Sequence, residues 1–218
     1  PNTEFACSRL IPADKSPYHG RSTFECEAAM LKPLIISGHP DLPSSNANQT
    51  ILTEFAKRHP AAEIRRLDSL YPDYKINIEA EQQALINAGI IILQAPFYWY
   101  SVPALLKKWL DDVLAFNFAY GSKGDKLKGK HFIVSLTIGG PKESYNASGY
   151  NHFEVEALLL PLKQTALLAG MIYQPPVYSH GMVYIPGIYG DLPSITQQAL
   201  EQAERLSEQV LRIQSENA

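Results

Sequence analysis

Apolar, β-branched segments alternate with longer amphipathic segments along most of the chain. The apolar segments predict five β-strands, at residues 34–37, 63–67, 89–95, 131–137 and 171–178. Segments with apolar residues at helical spacing predict five helices, at residues 46–58, 78–88, 103–114, 153–169 and 194–213. Pro103 suits the first turn of its helix, Pro161 predicts a break or kink, and Ser194 is expected to cap the last helix.

This alternation predicts an α/β protein with a parallel sheet that is covered by helices on both faces. The third and fourth strands are almost continuously apolar, as is typical of strands buried on both sides. Five strands and five helices fit a doubly wound sheet of order 2-1-3-4-5. Ligands bind such sheets beyond the carboxyl ends of the strands, which directs attention to the loops after Ser37, Ala95 and Thr137.

Residues 1–30 differ from the rest because they show neither the strand period nor the helix period, and Pro and Gly interrupt them. They also lack the basic start and apolar run of a secretory signal. Met30 is followed at once by the first predicted strand, so we expect residues 31–218 to form the domain. Residues 1–30 are then an extension, or a native arm that packs on the surface.

Composition and charge narrow the class of protein. A chain of 218 residues with 45% hydrophobic and 19% charged residues is typical of one globular domain. The net charge of −3 gives no electrostatic footprint for nucleic acid. The two cysteines, Cys7 and Cys26, lie in the first 30 residues, and the remaining sequence contains no apolar run of membrane-spanning length. We therefore expect a cytoplasmic protein without a metal site or a nucleic-acid partner.

The loop after the first strand, GHPDLPSSNANQ, combines small hydroxyl and amide side chains with the start of a helix. Helix N–H groups, the helix dipole and Ser or Asn donors suit a phosphate. The loop has neither the P-loop nor the Rossmann glycine pattern, which disfavours nucleoside triphosphate chemistry. A helix cap on a surface turn is the alternative.

The other two loops contribute aromatic and glycine residues. PFYWYSVP, after the third strand, offers a wall for a flat aromatic ligand, although aromatic clusters also fill cores. TIGGPKESYNASGYNH, after the fourth strand, contains Gly139 and Gly140, which permit close backbone approach. In the same loop Tyr145 and His152 can donate a hydrogen bond or a proton to a substrate oxygen, or His152 can simply neighbour a helix cap.

Together these loops resemble the NAD(P)H:quinone oxidoreductase family of the DT-diaphorase type. They are most similar to its bacterial branch, which includes the ancillary flavoprotein of glutathione-gated potassium efflux systems. The resemblance covers residues 33–185 and, more loosely, the last helix; it is carried by SGHPDLPSSNAN, by QAPFYWYSVPALLKKWLDDVL, by FAYG, by LKGKHFIVSLTIGG and by YNHFEVEALLLPLKQTALLAGM. It implies a flavodoxin-like, flavin-binding domain over residues 31–218.

The resemblance also implies roles for particular residues. The flavin phosphate and ribityl chain would contact His39, Ser45, Asn46, Ala47 and Asn48. The ring would lie against Phe97, Tyr98, Trp99 and Tyr100, with Tyr98 standing where Gln is common in the family. The polar edge of the ring would face the backbone of Thr137, Ile138, Gly139 and Gly140.

Two further implications concern catalysis and assembly. Tyr145 matches a family Tyr that stabilises the reduced flavin and contacts substrate. The family's partner His falls near His152, but the loop is slightly longer here, so that Asn151 and Tyr150 are alternatives. Phe118 and Tyr120 match a segment that reaches the partner subunit's site, which implies a homodimer.

The implied activity is two-electron hydride transfer from NAD(P)H, through flavin N5, to a quinone that occupies the same site in turn. The resemblance implies FMN or FAD as the flavin, and a C-terminal end that is shorter than in FAD-binding relatives favours FMN. Alternatives are a regulatory subunit docked on a potassium efflux transporter, an azo or nitro reductase on the same scaffold, and a flavodoxin-type electron carrier.

Overall fold

The computed structural model describes residues 31–218. The expectations for residues 1–30, including their two cysteines, lie outside the described residues. Six parallel strands form one sheet: β1 (Pro33–Ser37), β2 (Glu63–Arg66), β3 (Ile90–Pro96), β4 (His131–Thr137), β5 (Ile172–Tyr173) and β6 (Val177–Ser179). The order β2-β1-β3-β4-β5 confirms the predicted doubly wound arrangement.

The last predicted strand, residues 171–178, is two short strands instead of one. Both pair with β4, β5 at its start and β6 at its end. Pro175 and Pro176 lie between them, and neither has a backbone N–H to donate to the ladder. The prolines therefore divide the edge strand while both parts stay on the same neighbour.

Residues 31–218 also form seven α-helices, which lie between or after the strands: α1 (Asn46–Arg58), α2 (Leu67–Leu70), α3 (Ile78–Asn87), α4 (Ala104–Val113), α5 (Val155–Leu158), α6 (Leu160–Leu168) and α7 (Leu192–Glu216). Alternate residues of the central strands point to opposite faces. Ile91 and Leu93 pack with α3, α4 and α6, whereas Ile90 and Ile92 pack with α1 and α7. The core therefore has two layers, as predicted for a sheet covered on both faces.

The helix ends differ in places from the sequence prediction. The break before Pro161 is confirmed, because α5 ends at Leu158 and α6 starts at Leu160. The predicted cap of the last helix is wrong: Asp191, not Ser194, accepts the hydrogen bond, from the Ser194 N–H at 3.0 Å. Asp191 precedes Leu192 and Pro193, and a proline suits the first turn of a helix. Within residues 31–218, no helix is both long and apolar enough to cross a membrane.

A buried carboxylate connects β2, α2, α3 and α4. The Glu81 side chain is fully buried and accepts a hydrogen bond from Arg65 Nε at 2.7 Å and from Trp109 Nε1 at 2.8 Å. Arg65 Nη2 and the Tyr71 hydroxyl also donate to it. Burial is the largest cause that raises the pKa of Tyr71, and the hydrogen bond to Glu81 adds to it. The carboxylate is thus fully partnered inside the core.

Candidate functional site

A cavity of about 370 Å³ opens at the carboxyl edge of the sheet, and we call it the edge cavity. The loops after β1, β3 and β4 all contribute to it, as the doubly wound topology predicts. Its lining includes nine of the predicted contacts: His39, Ser45, Asn46, Ala47, Asn48, Phe97, Tyr98, Thr137 and Gly139.

The N-terminus of α1 forms one end of the edge cavity. Ser45 caps this helix by accepting hydrogen bonds from the Asn48 N–H at 3.2 Å and from Asn48 Nδ2 at 3.1 Å. Among the described residues, no acceptor partners the N–H groups of Asn46 and Ala47. Two unpaired N–H groups at the positive end of a helix make an anion-binding position.

His39 lies beside this position and is buried. Its Nδ1 accepts a hydrogen bond from the Asp41 N–H at 3.1 Å, so that the ring proton is on Nε2. Burial lowers the pKa of His39, although the charges of Asp41 and Asp68 oppose the shift. His39 is therefore a neutral donor at this end of the edge cavity.

A chain of buried amides and hydroxyls joins the strand ends beneath the edge cavity. Gln94 Nε2 donates to Asn48 Oδ1 at 2.9 Å, and Asn48 Nδ2 donates to Thr137 Oγ1 at 3.0 Å. Gln94 was not predicted from the sequence, because it lies inside the apolar run of β3. Its polarity among Ile, Leu and Ala was the one available signal.

The aromatic loop after β3 forms a tight two-residue turn between Tyr98 and Ser101. Trp99 and Tyr100 occupy its centre with φ of 47° and 62°, a left-handed conformation that is costly for bulky residues. Within residues 31–218, the N–H groups of Trp99 and Tyr100 have no acceptor. The strained turn therefore presents two free donors at the ligand edge of the sheet.

The four aromatics of this loop separate in space. Phe97 and Tyr98 line the edge cavity, but Trp99 and Tyr100 do not. Trp99 is 91% exposed, and the Tyr100 hydroxyl donates to Asn151 Oδ1 at 2.9 Å. Of the four predicted wall positions, Phe97 and Tyr98 therefore lie at the edge cavity, and their contact with a ring stays a prediction.

The glycine pair after β4 is crowded by protein atoms. A Cβ atom on Gly139 would lie 2.6 Å from Val183 Cγ2, and one on Gly140 would lie 3.0 Å from Tyr145 Cε2. In the described part of the chain, neither glycine N–H has an acceptor. Ile138, in contrast, is buried in the core. Because glycine has no Cβ, Gly139 and Gly140 allow the loop to pass close to Val183 and Tyr145. The N–H groups of both glycines stay available to a ligand.

Tyr145 lies behind this loop and lines a second cavity of about 510 Å³, which we call the Tyr145 cavity. Its ring centroid is 6.4 Å from that of Phe97, on the wall of the edge cavity. Burial raises the pKa of Tyr145, and the nearby phenols of Tyr100 and Tyr150 add to the shift. Tyr145 is therefore a protonated phenol at neutral pH.

His152 and its alternatives occupy different environments. The His152 side chain is exposed and makes no hydrogen bond within residues 31–218, and Tyr150 is exposed as well. Asn151 is buried and donates to Ser144 Oγ at 2.7 Å. The structure thus does not bring His152 to Tyr145, and its catalytic role stays a prediction.

An apolar groove of about 470 Å³ runs between α4 and α6, and we call it the α4–α6 groove. Tyr100 and Tyr120 both line it, whereas Phe118 is buried. Tyr120 is 43% exposed and packs against the Phe116 ring at 5.7 Å. The segment that contains Phe118 and Tyr120 therefore borders an apolar surface close to the aromatic turn.

Sequence reasoning missed a further segment of the site, the stretch that follows β6. Met182, Val183 and Tyr184 line the edge cavity, and His180 lines the Tyr145 cavity. The Met182 N–H donates to the Ile138 carbonyl at 2.9 Å, which aligns this stretch with the loop after β4. Its position beyond the last strand, at the same sheet edge, was the signal that could have identified it.

The protein has a flavodoxin-like fold. Three features define it: the sheet order, the N-terminus of α1 after β1, and the cavity at the carboxyl ends of the strands. A family model for the flavodoxin-like fold matches residues 32–207. The ancillary protein KefF of a glutathione-regulated potassium-efflux system, from Salmonella arizonae, is 45% identical over 147 residues, which cover 67% of this chain and 82% of KefF.

Two solved structures are similar over most of their length. General stress protein 14 from Treponema denticola, in complex with FMN, is 29% identical with a TM-score of 0.73, and covers 86% of this chain and 99% of its own. An NADPH-quinone reductase from P. pentosaceus is 27% identical with a TM-score of 0.66, over 82% of this chain and 98% of its own. The chain belongs to the flavodoxin-like NAD(P)H:quinone oxidoreductase family, in the branch that includes KefF.

Proposed function

We propose that the protein is a flavin-dependent NAD(P)H:quinone oxidoreductase that uses FMN. The observation that carries the proposal is the set of backbone N–H groups without an acceptor in residues 31–218, at the start of α1 and at Gly139 in the lining of the edge cavity, and at Gly140 and in the aromatic turn beside that lining. Their arrangement suits a ligand with an anionic phosphate at one end and a polar ring edge at the other. FMN has both features, and a similar protein binds it.

Different groups of the site would bind different parts of FMN. The N–H groups of Asn46 and Ala47, with His39, would bind the phosphate. Phe97 and Tyr98 would pack on the ring, and the N–H groups of Gly139 and Gly140 would stabilise negative charge at its polar edge. Bound flavin supplies acceptance and donation of hydride, which no protein side chain provides.

Tyr145 is the proposed proton donor for the quinone that accepts the hydride. Its phenol is protonated at neutral pH and lies next to Gly140 and Phe97. Donation to an acceptor oxygen that gains negative charge would lower the barrier of the second half-reaction. A quinone suits this role because both of its oxygens gain negative charge on two-electron reduction.

The first experiment is a cycle followed by absorption. Protein reconstituted with FMN should bleach when NADPH is added without oxygen, and the oxidised spectrum should return when a quinone is added. A protein that binds neither FMN nor FAD would contradict the flavin proposal. Return of the spectrum with azo or nitro compounds but not with quinones would assign a different acceptor.

A second candidate function is that of an ancillary subunit of a potassium efflux transporter. The 45% identity to KefF over 82% of that protein favours it. The flavin site would then serve regulation instead of turnover. A protein that binds FMN but is reduced by neither NADPH nor NADH, and that co-sediments with membranes holding the transporter, would support this second candidate over the first.

We also propose a homodimer joined through the α4–α6 groove. Leu160, Leu167 and Leu168 of α6 are all more than half exposed beside it. Leu168→Glu should weaken association about 100-fold, because it places an unpaired charge in an apolar interface. Light scattering coupled to gel filtration should report a dimer of 24.3 kDa chains for the unmodified protein and a monomer for this variant.

The matched control for the homodimer is Leu211→Glu. Leu211 is 54% exposed on α7, which packs on the opposite face of the sheet. This variant should remain dimeric. An unmodified protein that is monomeric at the same concentration, or equal dissociation of the two variants, would contradict an interface at the α4–α6 groove.

A further inference from the structure

His180 lies directly after β6, and its ring packs between two tyrosines in the Tyr145 cavity. Its centroid is 5.2 Å from that of Tyr145, with the rings tilted by 51°, and 5.5 Å from that of Tyr178, edge to face. The Tyr178 hydroxyl is itself held by Glu156 Oε1 at 2.5 Å. The imidazole is therefore in direct contact with the proposed proton donor.

One nitrogen of His180 is tied to the glycine loop. Nδ1 lies 3.2 Å from the Gly140 carbonyl oxygen, which can only accept, so that Nδ1 carries the proton. The Gly181 N–H donates to the same oxygen at 3.2 Å. His180 and its neighbour therefore fix the carbonyl group of Gly140, the residue whose own N–H is one of the free donors.

The electrostatic surroundings keep the ring neutral at pH 7. Burial lowers the pKa of His180, against the opposing hydrogen bond to Gly140. Lys142 adds to the lowering, whereas Glu143 and Glu156 act in the other direction. A neutral ring with its proton on Nδ1 leaves Nε2 as an acceptor on the other side.

We propose that His180 is a positioning residue for hydride and proton transfer, and that it acts by fixing the Gly140 carbonyl and the Tyr145 ring together. This inference rests on the proposed function, because Tyr145 and the Gly140 N–H matter only if they face the reacting molecule. His180 reaches Tyr145 from the stretch after β6, whereas His152 lies in the loop after β4. The positioning depends on the hydrogen bond that His180 Nδ1 donates to the Gly140 carbonyl.

The tautomer can be measured without any turnover. Long-range ¹H–¹⁵N NMR of the full chain at pH 7.5, with and without FMN, should show His180 neutral and protonated at Nδ1. The spectrum of His180→Phe identifies the His180 signals by their loss. A neutral ring protonated at Nε2, or a charged ring at this pH, would overturn the proposal whether or not the protein is a reductase.

Three variants then separate positioning from packing. His180→Asn keeps an N–H donor close to the Nδ1 position, His180→Gln moves the donor towards the Nε2 position, and His180→Phe keeps only the ring. The rates of FMN reduction by NADPH and of reoxidation by quinone should fall about 10-fold in the Gln and Phe variants. The Asn variant should keep at least about a third of the rate, with KM for NADPH little changed in all three.

A Phe variant that keeps the rate while the Asn variant loses it would show that His180 only fills space, and equal losses in all three variants would show that the Nδ1 donor has no role, provided that the proteins unfold at the same urea concentration as the unmodified chain. The double variant His180→Phe, Tyr145→Phe tests the route: its loss of rate should be smaller than the product of the two single losses, because His180 acts in part through Tyr145. Multiplicative losses would overturn action through Tyr145. If the unmodified protein is not reduced by NADPH, the proposed function fails, while the NMR result still decides the tautomer.

Discussion

Glu81→Ala is expected to lower the free energy of unfolding by about 3–5 kcal/mol, which is the usual cost of removing one partner from a buried ion pair. The substitution leaves the Arg65 guanidinium and the Trp109 N–H without their shared acceptor inside the core. Tyr71 loses its acceptor at the same time. Because a domain is typically stable by about 5–15 kcal/mol, this loss is a large share of the total stability.

Urea unfolding, followed at one fixed FMN concentration, measures this effect, since bound ligand adds to apparent stability. Glu63→Ala is the matched control, because Glu63 also binds Arg65, at 2.9 Å, but its side chain is 37% exposed. The control should lose only about 0–1 kcal/mol, as exposed ion pairs do. If the two variants shift the urea midpoint equally, the buried carboxylate does not have the stabilising role inferred from its contacts.

Ser45→Asp is expected to weaken FMN binding about 100-fold, or about 2.7 kcal/mol, because it places a carboxylate where the phosphate is proposed to bind. Asp caps a helix as well as Ser does, so the fold and the start of α1 should be preserved. The Asn48 N–H, which Ser45 now accepts, would find a carboxylate oxygen in its place. Fluorescence titration of the flavin-free protein with FMN gives the dissociation constant.

Riboflavin makes this test specific, since it has the same ring and ribityl chain but no phosphate. Its affinity should change by less than about 3-fold in Ser45→Asp, which is less than 1 kcal/mol. Gln49→Asp is the control variant, because it adds the same charge to an exposed position one turn further along α1. Equal loss of FMN and riboflavin affinity in Ser45→Asp would place the phosphate elsewhere.

The sequence by itself determined the order of the sheet and most of its elements, but not the short helix α2 or the division of the last strand into β5 and β6. Strand and helix periods depend on which side of each segment is buried, and that pattern is local. The right-handed crossover rule and the double winding then limit how successive strands can be arranged. The loops after β1, β3 and β4 therefore converged as expected, and the Ser45 cap lies at the edge cavity.

Only the tertiary structure decided which side chains meet inside that frame. Periodicity states that Gln94 is in a strand and Glu81 on a helix, but it contains no information about their partners on other elements. Tyr145 meets His180, which is 35 positions away in the sequence, and not the nearer His152. The reason is physical: the hydrogen bonds between the stretch after β6 and the loop after β4 align two strand ends, and that alignment determines the neighbours of Tyr145.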